Sequence, residues 1–192
     1  VNSPGGSALT SELIWREIEI TKKVKPVVVS MGNYAASGGY YIAANADRIF
    51  AEPNTITGSI GVFGMLPNMN QLGKNIGINA EQVKTHENAS GYSVFEPIDE
   101  NFKGFVLESI EKTYATFLKR VADGRKMTTQ QVDAIAQGRV WTGIDAHKLG
   151  LVDEIGGLDA AIKYAAKLGK TSSYRTENYP EYEKNFEDML AN

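Results

Sequence analysis

The sequence contains no cysteine. Disulfide frameworks, thiol nucleophiles and zinc–thiolate sites are therefore excluded together, while the redox compartment stays open. Positive charge is not in excess: twenty Lys and Arg stand against twenty-three Asp and Glu, a formal charge of −3. A chain without a basic surplus has little to track a phosphate backbone with, so nucleic acid is not expected as a partner. No apolar run approaches the ~20 residues of a membrane-spanning helix. Histidine is scarce, with only His86 and His147, and no His, Asp and Glu cluster has metal-ligand spacing. Neither a metal nor another cofactor is expected.

What remains is the composition of a globular domain, 42% hydrophobic and 22% charged over 192 residues. A chain of this length can bury roughly 70% of its unfolded surface without a staple. It opens Val1-Asn2-Ser3-Pro4-Gly5-Gly6-Ser7, with neither a starting Met nor a signal peptide. That opening reads as the turn after a strand that lies outside the sequence. The expectation is a fragment whose membrane anchor or partner domain lies upstream.

Leu9, Leu13, Ile14 and Ile18 predict one apolar face of a helix that ends before Pro26. Val27–Met31 is a short β-branched run suited to a buried parallel strand. A small-residue turn and a short helix over 40–44 follow, then a strand over 48–51 stopped by Pro53. Residues 69–76 predict another short helix, and 81–85 another strand. The longest helix is expected over 99–123, where Phe102, Phe105, Val106, Ile110, Phe117 and Val121 keep a near-3.6 spacing and read as core. Thr128-Thr129-Gln130-Gln131 is a capping-box pattern. A strand over 151–155 and a helix over 158–168 complete an α/β pattern with a largely parallel sheet.

Two segments could carry chemistry. In Ala35-Ala36-Ser37-Gly38-Gly39-Tyr40 a serine sits where a buried strand hands over to a helix. Such a turn exposes the hydroxyl and aims helix-start N–H groups at whatever the serine attacks. The plain alternative is that Ser37 only caps the helix. Gly5-Gly6 offers unobstructed backbone N–H donors of the kind an oxyanion requires, or simply forms a β-turn. Acyl transfer needs a nucleophile and an oxyanion clamp together, so finding both in one domain favours the chemical reading.

A serine also needs a base. Neither His86, in a polar loop, nor His147, beside Lys148, has a setting that supports a Ser-His-Asp triad. Lysine is the other option, but its pKa must fall from ~10.4 to ~8, which costs roughly 3 kcal/mol of desolvation or nearby positive charge. Lys84, in the strand-like Val83-Lys84-Thr85, is the one lysine to consider. Gly58, Gly61 and Gly64 match no nucleotide-binding fingerprint.

These segments resemble the signal peptide peptidase A family, membrane-associated Ser-Lys proteases of bacteria. The matching stretches are residues 1–7, residues 31–41, Thr57-Gly58-Ser59-Ile60-Gly61-Val62 and Gln137-Gly138-Arg139-Val140-Trp141-Thr142-Gly143. The order and spacing fit from residue 1 to about 168. The first turn is shared with the Clp protease proteolytic subunit, within the wider crotonase-like superfamily. The resemblance implies a crotonase/Clp-protease-like ββα-type α/β domain with a mainly parallel sheet flanked by helices. It implies a serine-bearing peptidase domain over 1–168, with 169–192 as a C-terminal extension. Ser37 then matches the nucleophile, Gly5, Gly6 and the N–H of Gly38 the oxyanion hole, and Ser59 the serine that orients the catalytic lysine. The family lysine falls at about Ala89, so it is missing here, and Lys84 is kept as a possible alternative base.

In the long form of that family two homologous halves are joined, the N-terminal one bearing the lysine and the C-terminal one the serine. The resemblance is to the C-terminal half. It implies cleavage of remnant signal peptides, a base supplied by the N-terminal half, inactivity in isolation, and a homo-oligomer on the outer face of the cytoplasmic membrane. Two alternatives stand beside it. An acyl-CoA hydratase-like crotonase member would bind a CoA thioester, and a non-catalytic assembly half would tolerate Ser37→Ala in the complete protein.

Overall fold

Short β-branched and small-residue runs make the strands, and in two places a tight turn carries the chain from one sheet to the other. A computed structural model describes residues 1–86, 89 and 91–180. Its elements are α1 Ala8–Lys22, β1 Val28–Met31, β2 Tyr34–Ala36, α2 Gly38–Ala43, β3 Arg48–Ala51, β4 Ile56–Gly58, α3 Asn70–Asn75, α4 Glu100–Arg125, α5 Thr129–Ile135, β5 Val140–Thr142, α6 Gly143–Lys148, β6 Glu154–Ile155 and α7 Leu158–Leu168. One sheet has the order β1-β3-β6, all parallel; the other has β2-β4-β5, with β2 and β4 parallel and β5 antiparallel. Only Gly32 and Asn33 separate β1 from β2, so one nearly continuous strand serves both sheets. Thr55 fixes the corresponding corner after β3, its buried hydroxyl donating to Gly32 O at 2.8 Å and accepting from Glu52 N–H at 3.1 Å. This is the expected ββα arrangement, with a mainly parallel framework flanked by helices.

The first residues join the second sheet. Ser3 bridges Ala35 in parallel, Ser3 N–H donates to Tyr34 O at 2.8 Å, and Gly32 N–H donates to Val1 O at 2.7 Å. Around the core, α1 packs on α2, α4 on α2 and α5, and α7 on β1 and β3. Tyr40, fully buried, donates its hydroxyl to Leu151 O at 2.8 Å, as a buried phenol must to avoid an unpaired polar group. Arg120 is stacked 3.9 Å from the centre of the Trp15 ring and grips Glu12, which also accepts from Tyr41 Oη. That cluster ties α1, α2 and α4 together.

Several elements depart from the sequence reading. Leu9 and Leu13 of α1 point outward, 71% and 60% exposed, and Ser11 and Trp15 are the buried residues instead. The cause is steric: Ser11 Oγ lies 2.6 Å from where a Cβ on Gly38 would stand, so only a small residue fits there. Residues 81–85 form no strand, and Val83 is fully solvent-exposed. The long helix is core only in its second half, where Phe117 and Val121 are buried while Phe105 is 69% exposed. The strand expected over 151–155 shrinks to two residues, because Leu151 and Val152 are buried in the turn out of α6. The Thr128 capping box and the helix over 158–168 form as expected. The extension after 168 is described only to Pro180, and residues 181–192 lie outside the described residues.

Candidate active site

β2 runs parallel to β4 and stops at Ala36; α2 starts at Gly38. Ser37 makes the junction at φ 53°, ψ −119°, backbone that favours glycine. Holding a serine there costs about 1–3 kcal/mol, and such residues persist where their surroundings over-determine them. The constraints are visible: Ser37 N–H donates to Gly58 O at 2.9 Å, and Ser37 O accepts from Tyr41 N–H at 2.8 Å. Its side chain makes no capping bond to α2. The hydroxyl of this half-buried serine is therefore not a helix cap, which disposes of the plain alternative.

The Asn2–Gly6 chain lies directly on this turn. A Cβ on Gly5 would fall 2.8 Å from Ser37 Cβ and 3.2 Å from Ser37 Oγ; one on Gly38 would fall 3.2 Å from Gly6 N; one on Gly39 would fall 2.5 Å from Ser3 O. Glycine at these positions lets two backbone segments meet at the serine. Gly5 N–H is occupied by Ser3 Oγ at 3.3 Å. Gly6 N–H has no acceptor among the described residues, and Gly38, as the first residue of α2, has none within its helix. Of these three glycines, Gly6 and Gly38 thus have backbone N–H groups without an acceptor among the described residues.

Ser37 sits in a cleft of about 750 Å³ with Gly5, Gly6 and Ser59 in its lining. Pro4, Val62, Phe63, Ile110 and Tyr114 give it apolar walls, and Glu111 is its one charged lining residue among those described. Ser59 has φ 48° and Gln137, also in the lining, φ 58°. Three of the five non-glycine residues with positive φ among those described line this one cleft. The fold thus brings Ser37, Gly5, Gly6, Gly38 and Ser59 to one place.

No lysine or histidine is in the cleft lining among the described residues. Lys84 lines a separate cavity of about 540 Å³ with Gln82, Tyr92, Glu96, Phe102 and Phe105. His86 is exposed beside Thr85, and His147 Nδ1 lies 3.2 Å from Val152 O at the end of α6. Ala89, near which the resemblance implies the family lysine, is exposed, and its neighbours 87, 88 and 90 are outside the described residues. Sequence reasoning missed the walls contributed by α4 and the turn after α5, whose residues meet only in the folded chain. Tyr114 is the clearest case, bonded to both Asp133 and Gln137.

Residues 19–172 match the family described as peptidase family S49. Protease 4 of Haemophilus influenzae is 49% identical over 169 residues, covering 88% of this chain and 27% of that protein. Protease 4 of Salmonella typhi is 44% identical, covering 93% and 29%. The chloroplastic serine protease SPPA of Arabidopsis thaliana is 42% identical, covering 86% and 24%. The chain thus spans about a quarter of the length of these relatives. Among solved structures, a mutant ClpP1 from Listeria monocytogenes superposes with a TM-score of 0.53 at 17% identity, covering 84% of this chain and 74% of that one. That likeness bears out the Clp-protease-like fold.

Proposed function

The chain belongs to peptidase family S49, and from that premise we propose that it is the serine-bearing part of a protease in which Ser37 is the nucleophile. The observation that carries this is the strained, uncapped Ser37 against the Gly5-Gly6 backbone at the floor of an apolar cleft. Ser37 Oγ attacks the scissile carbonyl while a neutral lysine accepts its proton. The oxyanion forms toward Gly6 and Gly38 N–H, donors fixed in place before the reaction and therefore effective. As the tetrahedral species collapses, the lysine returns the proton to the leaving amine, and water then hydrolyses the acyl-enzyme.

The lysine comes from the N-terminal half of the longer protein, a reading supported by the absence of Lys and His from the cleft lining among the described residues. Ser59 orients that lysine when the halves meet, and Lys84 is not needed. Substrates are extended apolar peptides with small residues near the cut, which is what remnant signal peptides offer and what the cleft walls suit. The assembly is a homo-oligomer at the outer face of the cytoplasmic membrane. No helix among the described residues is long and apolar enough to cross a membrane. Membership in a peptidase family sets the hydratase alternative aside.

The test is turnover of a fluorogenic apolar peptide by this chain alone and after addition of the N-terminal half, each with a Ser37→Ala control and circular dichroism. A folded, inactive chain that gains Ser37-dependent turnover on addition is the expected result. Ser37-dependent turnover by the isolated chain would sink the supplied base. Unchanged turnover in the reconstituted Ser37→Ala protein would sink the nucleophile.

A further inference from the structure

We infer that Tyr114 is a positioning residue for this site: its hydroxyl locks the left-handed turn at Gln137 and Gly138 against Ser59, so that α4 and α5 set how Ser59 enters the cleft. The inference rests on the role of Ser59 proposed above. Tyr114 Oη donates to Asp133 Oδ1 at 2.6 Å and accepts from Gln137 N–H at 3.2 Å. One oxygen therefore joins the middle of α4, the last turn of α5 and the strained turn that follows it.

From that turn the connection to Ser59 is short. Gly138 N–H donates to Ile60 O at 2.9 Å, and Ser59 N–H donates to Arg139 O at 2.7 Å. These two bonds carry the β4–β5 ladder past Gly58, the last residue of β4. The approach is tight, since a Cβ on Gly61 would fall 2.9 Å from both Cα and N of Gly138. Gln137 at φ 58°, Gly138 at φ 75° and Ser59 at φ 48° all occupy left-handed backbone, and the two residues bearing side chains relax from it readily once a restraint is lost. Burial, and after it the hydrogen bond to Asp133, raise Tyr114 above the ordinary phenol range, so it stays a neutral donor. Phenylalanine at this position keeps the ring in the cleft wall and removes only the restraint.

The experiment compares Tyr114→Phe and Asp133→Asn in the full-length protein with an apolar fluorogenic peptide, with Ser37→Ala alongside. Tyr114→Phe is expected to lower kcat about tenfold, about 1.4 kcal/mol in the barrier, with KM within twofold. Asp133→Asn keeps an oxygen acceptor for the hydroxyl and is expected to hold kcat within twofold. Wild-type kcat in Tyr114→Phe, or a loss confined to KM, would overturn the inference, the second outcome making Tyr114 merely a wall of the cleft. If the wild-type protein shows no Ser37-dependent turnover, the functional reading fails first and takes this inference with it; the Ser37→Ala control separates the two cases.

Discussion

Replacing Ser37 by glycine should make the protein more stable, and replacing it by alanine should not. At φ 53°, ψ −119° any Cβ is strained, by about 1–3 kcal/mol. Alanine keeps the Cβ and deletes only an oxygen that makes no capping bond, so its stability should stay within ~0.5 kcal/mol of wild type. Glycine relieves the strain but adds freedom to the unfolded chain, at about 0.5–1 kcal/mol. The balance is a gain of about 1 kcal/mol, which for a domain of this length is a rise of about 2–4 °C in Tm. Thermal melts of the three proteins under one buffer condition measure it directly. Both variants lose the hydroxyl, so activity does not confuse the comparison. A glycine variant no more stable than the alanine variant would refute the claim that Ser37 is held under strain.

Gly38→Ala should abolish turnover and destabilise the fold, since its Cβ would stand 2.6 Å from Ser11 Oγ and 3.2 Å from Gly6 N; kinetics and a melt on the same preparation check both effects. Arg125 makes a two-pronged pair with Asp153, at 2.6 and 3.1 Å, and also donates to Gly150 O. Its side chain is only 8% exposed, so Arg125→Leu strands a mostly buried carboxylate and should cost about 3–5 kcal/mol in a urea titration. For Glu12, burial alone would raise the pKa, but the hydrogen bonds from Arg120 and Tyr41 together bring it below its ordinary value. The stability it contributes is present above the ordinary carboxylate pKa and is lost as pH falls through the folded one. Glu12→Gln should therefore flatten the fall in Tm between pH 6 and pH 3 relative to wild type.

Where local chemistry decides a conformation, the residues announced it. The Thr128–Gln131 box caps α5 through both of its reciprocal bonds, and Ser37 between small residues occupies a strand–helix junction. The α1 stripe misled because the inward side of that helix faces backbone. Ser11 is packed against Gly38, and Trp15 is covered by Arg120 from a helix more than a hundred residues later. Hydrophobic periodicity carries no information about a neighbour without side chains. Residues 81–85 had strand-like composition but acquire no pairing partner among the described residues, and propensity cannot supply one. The link from Tyr114 to Ser59 joins residues 55 positions apart through backbone bonds, which no spacing rule reaches.

The positive φ of Ser37 also acts as a gauge on the nucleophile. At φ 53°, ψ −119° the position accepts an unbranched side chain more readily than a branched one. Threonine would carry its methyl into left-handed backbone that β-branched residues resist, although its hydroxyl is chemically equivalent. A thiol, unbranched and only slightly longer, passes the same gauge. The chemistry open to this position is thus limited by shape before reactivity: the site could exchange oxygen for sulfur, but not a primary alcohol for a secondary one.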